Sequence, residues 1–399
     1  VVVAGHLCLD IFPDLTSIPE GKFTQLFKPG HLLEAGPAGF GVGGAVSNTG
    51  LTLARLGIPT HLVAKIGADP FADIVDAIFQ RYAKARIDEH GMLILRTNFV
   101  VQPDAPTSYS LIISPPGVDR IFLHCTGTND TFVANDVDFH ALEEAAVFHF
   151  GYPPLLRQFY REGGRELSDL FHRARKTGVT TSLDLSLPDS SGEAGQVDWI
   201  AILAAVLPDV DIFLPSIEEI LFMLRRHTYD VLQESTGSGS LVRLVTPELL
   251  HSLSSQLLDM GVKIAGFKLG ERGFYLRTAG QKALENLGRG SPADLAAWAG
   301  QTLWAPAFKV EVAGTTGAGD SAIAGFLSGL LRGLGPRQAL RAAVAVGACN
   351  VEAADAQSGL RSWKDTLARV AAGWNHHALD LSPADWAWDE DNGVWVEKA

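Results

Sequence analysis

Residues 314–326 read GTTGAGDSAIAGF, with glycines at 314, 317 and 319 ahead of a helical run that carries Asp320 in its first turn. A glycine-rich turn entering a helix points successive backbone N–H groups into one concavity. Such a concavity binds anions both by hydrogen bonds and by the helix dipole. A side chain at these positions would block the anion or forbid the turn. A carboxylate is a poor phosphate ligand, because like charges repel. It suits a different task, accepting the proton of a hydroxyl aimed at that phosphate. The plainer alternative is an Asp that favours a helix N-terminus through the dipole alone. Spacing by itself leaves both open.

Two further constellations fit the recognition of hydroxyls. Residues 43–48 read GGAVSN: Gly43 and Gly44 allow close backbone approach, and Asn48, one turn into a helix, offers a donor and an acceptor. A Gly-Gly turn followed by a solvated Asn reads the same way. Asp10 lies five residues beyond a predicted first strand at 1–5. Charged residues past the carboxyl ends of parallel strands sit where ligands bind, although a loop Asp closing a local turn is the alternative.

The elements that position these residues alternate. Residues 60–67, 147–150, 179–186, 211–215 and 262–270 read as strands. Residues 45–57, 156–177, 248–260, 317–332 and 336–354 read as helices, and another starts at Pro70. Such alternation implies a parallel sheet with helices on both faces. Residues 107–125 break the rhythm as a β-hairpin, a small appendage that strands from before Phe40 are expected to join. The stretch from 6 to about 40 otherwise reads as loop, with Pro13, Pro19, Pro29 and Pro37, and the Ser/Gly-rich 232–241 reads as a flexible loop. Residues 374–399 hold four of the eight tryptophans, six acidic residues and one lysine. That composition fits a segment packed on the body or on a partner subunit.

Composition narrows the partners. The 399 residues carry 32 Lys and Arg against 45 Asp and Glu, a net charge of -13. An acidic surface repels nucleic acid and anionic membrane, and no apolar run is long enough to span a bilayer. Cys8, Cys125 and Cys349 are far apart with no CxxC pair, so neither a disulfide framework nor a zinc site is expected, and a reducing cytoplasm is the expected location. The His376–His377 pair has no carboxylate or cysteine placed to complete a metal site.

Together these motifs resemble the PfkB, or ribokinase-like, family of carbohydrate kinases. GTTGAGDSAIAGF is similar to the family's C-terminal signature and GGAVSNTGLTLARLG to its N-terminal one. GHLCLD, KIGADPF, FLPSIEEI and FKLGERGFYL resemble its intervening motifs in order. The resemblance implies an α/β fold, a ribokinase-like three-layer sandwich with a mostly parallel central sheet and a small β-sheet lid. The kinase domain would span 1–373, with the lid from about 11–40 and 106–125, followed by the 374–399 extension. It also implies ATP-dependent phosphoryl transfer to a hydroxyl, expected to be a primary alcohol, of a sugar-like molecule. A nucleoside, sugar-phosphate or vitamin kinase of the same fold is an alternative, as is a sensor with a decayed site.

Roles follow from the resemblance at matching positions. Asp320 would be the base, and the backbone N–H groups of Gly317, Ala318 and Gly319 an anion hole. Asp10, Gly43, Gly44 and Asn48 would hold the sugar. Gly270 and Thr316 would lie at the ATP phosphates and Asn350 on the adenine side. Glu219 would organise Mg²⁺ through water. The chain departs from the family at Gly314, where an Asp usually helps form a monovalent-cation site, so weak or no potassium stimulation is expected. Ser216 replaces the Asn of an Asn-x-x-Glu motif. Residues 280–303 read as an insertion, and a homodimer through the lid is expected.

Overall fold

A computed structural model of the chain describes residues 1–19, 29–30, 32–84, 94–116, 121–237 and 239–398. In chain order its first strands are β1 (Val2–Gly5), β2 (Cys8–Pro13), β3 (Ala38–Gly43), β4 (Thr60–Gly67) and β5 (Leu95–Gln102). There follow β6 (Tyr109–Ile113), β7 (Ile121–Cys125), β8 (Val147–Gly151), β9 (Thr180–Asp184) and β10 (Ile212–Phe213). The last are β11 (Ile264–Lys268), β12 (Phe274–Thr278), β13 (Thr302–Ala305), β14 (Trp386–Asp389) and β15 (Val394–Glu397).

Eleven of these form one sheet in the order β14-β15-β13-β12-β11-β10-β9-β8-β1-β4-β5. The run from β11 through β5 is parallel throughout, while β12, β13, β15 and β14 extend it antiparallel. Strands buried on both faces read as continuous apolar runs, and β1 and β8 are buried at every residue. Neighbouring residues of one strand enter opposite cores: Val2 packs with Phe148, Phe150 and Phe171 on one side, Val3 with Leu51, Leu62 and Ile323 on the other. Helix Arg165–Lys176 shows why the outer layers form. It buries Leu167, Leu170, Phe171 and Ala174, one stripe at helical spacing. Each large apolar side chain so buried contributes roughly 1.5–3 kcal/mol.

Most expected elements are present, with three differences. The helix expected over 156–177 is broken, because Gly163 and Gly164 adopt φ of 66° and 75° and the main helix restarts at Arg165. Residues 232–236, expected in a flexible loop, are the end of helix Arg226–Thr236. Residues 8–13, expected as loop, form β2, so Asp10 sits in a strand.

A second sheet has the order β3-β2-β6-β7, with β2 parallel to β6 and its other pairs antiparallel. β2, from before Phe40, and β3, which spans it, thus join the 107–125 hairpin, whose connecting residues 117–120 lie outside the described residues, as do 20–28 and 31 of the 11–40 stretch. One face of this sheet packs on the helix Pro70–Lys84, with Tyr109 edge-on to Phe71 at 5.2 Å. Asp10, Ser110 and His124 lie in register across the strands and so share the opposite face.

The Trp-rich segment is tied to the main sheet. β15 pairs with β13, and Trp386 is buried against Tyr275 and Trp304. Residues 280–303 are likewise fastened down: the Arg289 guanidinium donates to the carbonyls of Leu142, Ala145 and Thr177.

Candidate active site

The parallel strands deliver side chains to one edge. Tyr152 follows β8, Asp184 ends β9, Lys268 ends β11, and Ser216, beyond β10, bridges to Lys268. This is the carboxyl edge of the sheet, where open α/β folds bind ligands. The helix Ala318–Leu331 begins at the same place. Its N-cap, Gly317, adopts φ 74°, which a glycine takes without strain, and no side chain caps the helix.

Asp320, in the first turn, is 2% exposed. Its Oδ2 accepts from Tyr152 Oη at 2.7 Å and from Asn48 Nδ2 at 3.1 Å, and its Oδ1 accepts from Thr49 Oγ1 at 3.2 Å. A carboxylate offers about four lone-pair sites. Three donors fix its orientation and leave one site for a further hydroxyl. Tyr152 itself has φ 65°, a left-handed conformation uncommon outside glycine and often found at functional sites. Burial first, then the charge of Asp320, raises its phenol well above the ordinary range, so it remains a donor.

Beside Asp320 and Glu219 lies a buried ion pair that the sequence did not single out. Lys268 Nζ meets Asp184 Oδ1 at 2.6 Å, with the Asp184 side chain fully buried. Burial drives the Asp184 carboxyl well up, Lys268 only partly offsetting it, and Glu219 is raised by burial in the same way. Burial works against the Lys268 ammonium, yet Asp184, Glu219 and Asp320 outweigh it and raise its pKa. Three carboxylates around one ammonium leave an excess of negative charge, and Asp184 Oδ2 has no hydrogen-bond partner. That orphaned oxygen and the excess charge fit a divalent cation.

The other predicted residues divide. Gly317 and Gly319 are held close: a Cβ on Gly317 would stand 2.8 Å from Ala356 Cβ, and one on Gly319 would stand 3.3 Å from Lys268 Nζ. Ala318 N–H makes a long bond, 3.3 Å, to Thr315 O. Thr316 lies in the same turn. Gly270 opens the turn after β11 with free space where a Cβ would be. Glu219 Oε2 accepts from the Ser216 backbone N–H at 2.7 Å, capping the helix Ile217–Leu224 with Ser216 at its N-cap. Asn350 is fully buried and donates through Nδ2 to Ala356 O at 2.8 Å, which braces the loop packed on Gly317; its Oδ1 is unpartnered. Asn48 is drawn to Asp320 as described.

Asp10 forms a separate corner. Its Oδ1 accepts from Cys8 Sγ at 3.5 Å, and Gly43 makes room for it, since a Cβ there would lie 2.4 Å from Asp10 Oδ2. Gly44, at φ 95°, lets the chain turn into the helix Ala45–Arg55 against the carbonyl of His6. Burial raises the Asp10 carboxyl to about 6, the Cys8 hydrogen bond pulling it the other way. Among the described residues no cation acts on it.

Comparison with known proteins identifies the family and the fold. The profile described as pfkB family carbohydrate kinase matches residues 1–363. An uncharacterized sugar kinase of Archaeoglobus fulgidus is 23% identical over 308 residues, covering 77% of this chain and 97% of that protein. Among solved structures, the Arabidopsis thaliana ribokinase complexed with ribose and ATP has 20% identity and a TM-score of 0.61, covering 92% of this chain and 97% of that one. The Xylella fastidiosa fructokinase with bound ATP has 18% identity and a TM-score of 0.63, covering 93% and 98%. At these identities the structures establish the fold, which is ribokinase-like. The chain belongs to the pfkB family of carbohydrate kinases. Its enzyme class is therefore that of an ATP-dependent carbohydrate kinase.

Proposed function

We propose that this enzyme transfers the γ-phosphoryl group of ATP to a primary hydroxyl of a neutral, monosaccharide-like substrate, with Asp320 as the base. The observation that carries the reading is the Asp320 carboxylate, fixed by Tyr152, Asn48 and Thr49 at the mouth of an uncapped helix N-terminus. A base in that position takes the hydroxyl proton as the oxygen attacks, and the backbone N–H groups of Gly317, Ala318 and Gly319 face the charge that develops. Lys268, against Gly319, adds positive charge on the same side. Gly270 and Thr316 border the polyphosphate, and Asn350 supports the adenine side. Bound Mg²⁺ would neutralise phosphate charge, held through water by Glu219 beside Asp184.

Asp10, Gly43, Gly44 and Asn48 form the sugar side, with the small sheet as a lid that excludes water. The residues assigned to the sugar side supply hydroxyl-binding groups and include no Lys or Arg, the partners a sugar phosphate needs, which favours a neutral sugar. Gly314 packs so that a Cβ would stand 2.8 Å from Ala354 O, which leaves little room for a carboxylate and favours weak potassium stimulation. Exposed Phe12, Phe40, Phe122 and Leu123 on the small sheet favour pairing of two copies there. The three free cysteines suit a reducing compartment such as the cytoplasm. Among the described residues no helix is long and apolar enough to cross a membrane.

The test is ADP release measured across free monosaccharides, nucleosides and sugar phosphates. Turnover is expected to be highest with a free monosaccharide. Preference for a sugar phosphate or a nucleoside contradicts the neutral-sugar reading, and ATP binding without turnover of any acceptor contradicts the kinase reading.

A further inference from the structure

His6, Cys8 and His124 come from separate pieces of the chain: the turn after β1, the start of β2, and β7 of the small sheet. Each offers a donor atom, and these atoms all lie within 4.8 Å of one another. The imidazoles of His6 and His124 are 5.3 Å apart between centroids. His6 is 3% exposed, and both of its ring nitrogens are buried without a hydrogen-bond partner. Buried polar atoms are almost always paired, so an imidazole with neither nitrogen satisfied needs an explanation. Ser110 Oγ lies 2.9 Å from His124 Nδ1 and 3.7 Å from Cys8 Sγ, where it steadies both. The spacing of cysteines along the chain gives no hint of this cluster, because His124 reaches it only through the pairing of β6 with β7 and β2.

We propose that His6, Cys8 and His124 form a binding site for one Zn²⁺ ion, which ties the small sheet to the edge of the main sheet. Two imidazoles and a thiolate are the donor set of a borderline-soft cation and not of Mg²⁺ or Ca²⁺. Zn–N and Zn–S bonds near 2.0 and 2.3 Å put tetrahedral donors roughly 3.5 Å apart. Binding therefore draws the three groups inward by about 1 Å. His124, on a solvent-exposed strand, is the most exposed of the three and marks the entry path. On binding, the Cys8 thiol gives its proton to solvent and ligates as thiolate. The fourth position is left to water.

The ion would stand beside Asp10, whose Oδ1 is 3.5 Å from Cys8 Sγ. If Asp10 holds the sugar, as proposed above, Zn²⁺ competes with sugar and not with ATP. The kinase would then be restrained by free zinc.

The site is tested on the full chain, stripped of metal and titrated with Zn²⁺ against a chromophoric chelator, and separately with Co²⁺. One equivalent is expected to bind with micromolar or tighter affinity, and Co²⁺ to give a thiolate charge-transfer band. Cys8→Ser should abolish the band, and His124→Ala should weaken binding at least about tenfold. Cys125→Ser should change neither. Melting temperatures of the metal-free variants confirm that they fold. No saturable one-equivalent binding overturns the site, as does binding that survives both Cys8→Ser and His124→Ala. In kinetics, Zn²⁺ should raise KM for sugar at unchanged KM for ATP, and the effect should vanish in His124→Ala. An equal rise in that variant overturns the competition while the binding measurement stands separately. Failure of every sugar to turn over removes the kinetic arm only, since metal binding needs no substrate.

Discussion

The hydroxyl of Tyr152 donates to Asp320 Oδ2 at 2.7 Å across a sequence separation of 168 residues. The link depends on a left-handed backbone at Tyr152, immediately after β8. It fixes which lone pair of Asp320 stays free. Tyr152→Phe keeps the ring and removes only this donor. Hydrogen bonds to charged groups contribute about 1.5–3 kcal/mol, so kcat is expected to fall about tenfold or more, with KM for ATP little changed. Unchanged kcat would show that Asn48 and Thr49 orient Asp320 without help.

Asp10 ties substrate binding to pH. Its carboxyl titrates at about 6 in the fold against 3.8 in the free residue, because it is buried. As an acceptor from sugar hydroxyls it acts ionised. KM for sugar should therefore be lowest above about pH 7 and rise as pH falls through 6. The stability effect has the opposite sign. Between pH 4 and 6 the folded state binds more protons than the unfolded one, so this group's contribution to stability falls as pH rises through that window. The penalty is complete above about pH 6. Asp10→Asn removes it and should stabilise the protein at pH 7 by about 1–3 kcal/mol, while raising KM for sugar. Chemical denaturation at pH 7 and at pH 4 measures this, and a variant less stable than the parent at pH 7 contradicts it.

Lys268 and Asp184 form a buried pair whose removal is asymmetric. Lys268→Met leaves Asp184 without its counter-charge in a site where the side chain is fully buried. Breaking one side of such a pair costs about 3–5 kcal/mol. Adding Asp184→Asn should return most of that stability without returning activity. Denaturant midpoints of the single and double variants are the measurement. A double variant no more stable than Lys268→Met alone would show that the pair is not the source of the loss.

Much of this was readable in the chain because glycine turns are local. Gly43, Gly44, Gly317 and Gly319 declared themselves by spacing; a Cβ would collide with a neighbour at the first three and crowd the Lys268 side chain at Gly319. The parallel strands were readable as apolar runs. The second sheet was harder. β3, AGFGVG, has three glycines and little intrinsic strand preference, and it exists because β2 lies beside it. With β2 hidden, Asp10 passed for a loop residue. Tyr152 and Asp184 carry no motif, and Lys268, inside FKLGERGFYL, was passed over for Gly270; each is a single residue at the end of a different strand, and only the order of strands in the sheet brings them together. His6 and Cys8 were overlooked for the same reason, their partner His124 arriving on a separate hairpin. The helix end at 232–236 was misread because its Ser and Gly neighbours suggested a loop, whereas the apolar contacts of the preceding turn hold it.

The central claim is that Asp320 takes the proton of the acceptor hydroxyl. Asp320→Asn preserves the size and the hydrogen-bonding shape of the side chain while removing the base. Its kcat, measured by ADP release with the best acceptor sugar and paired with ATP affinity by calorimetry, tests the claim most directly. A loss of roughly 100-fold or more in kcat with ATP affinity retained is the predicted result. A kcat within a few-fold of the parent would contradict it.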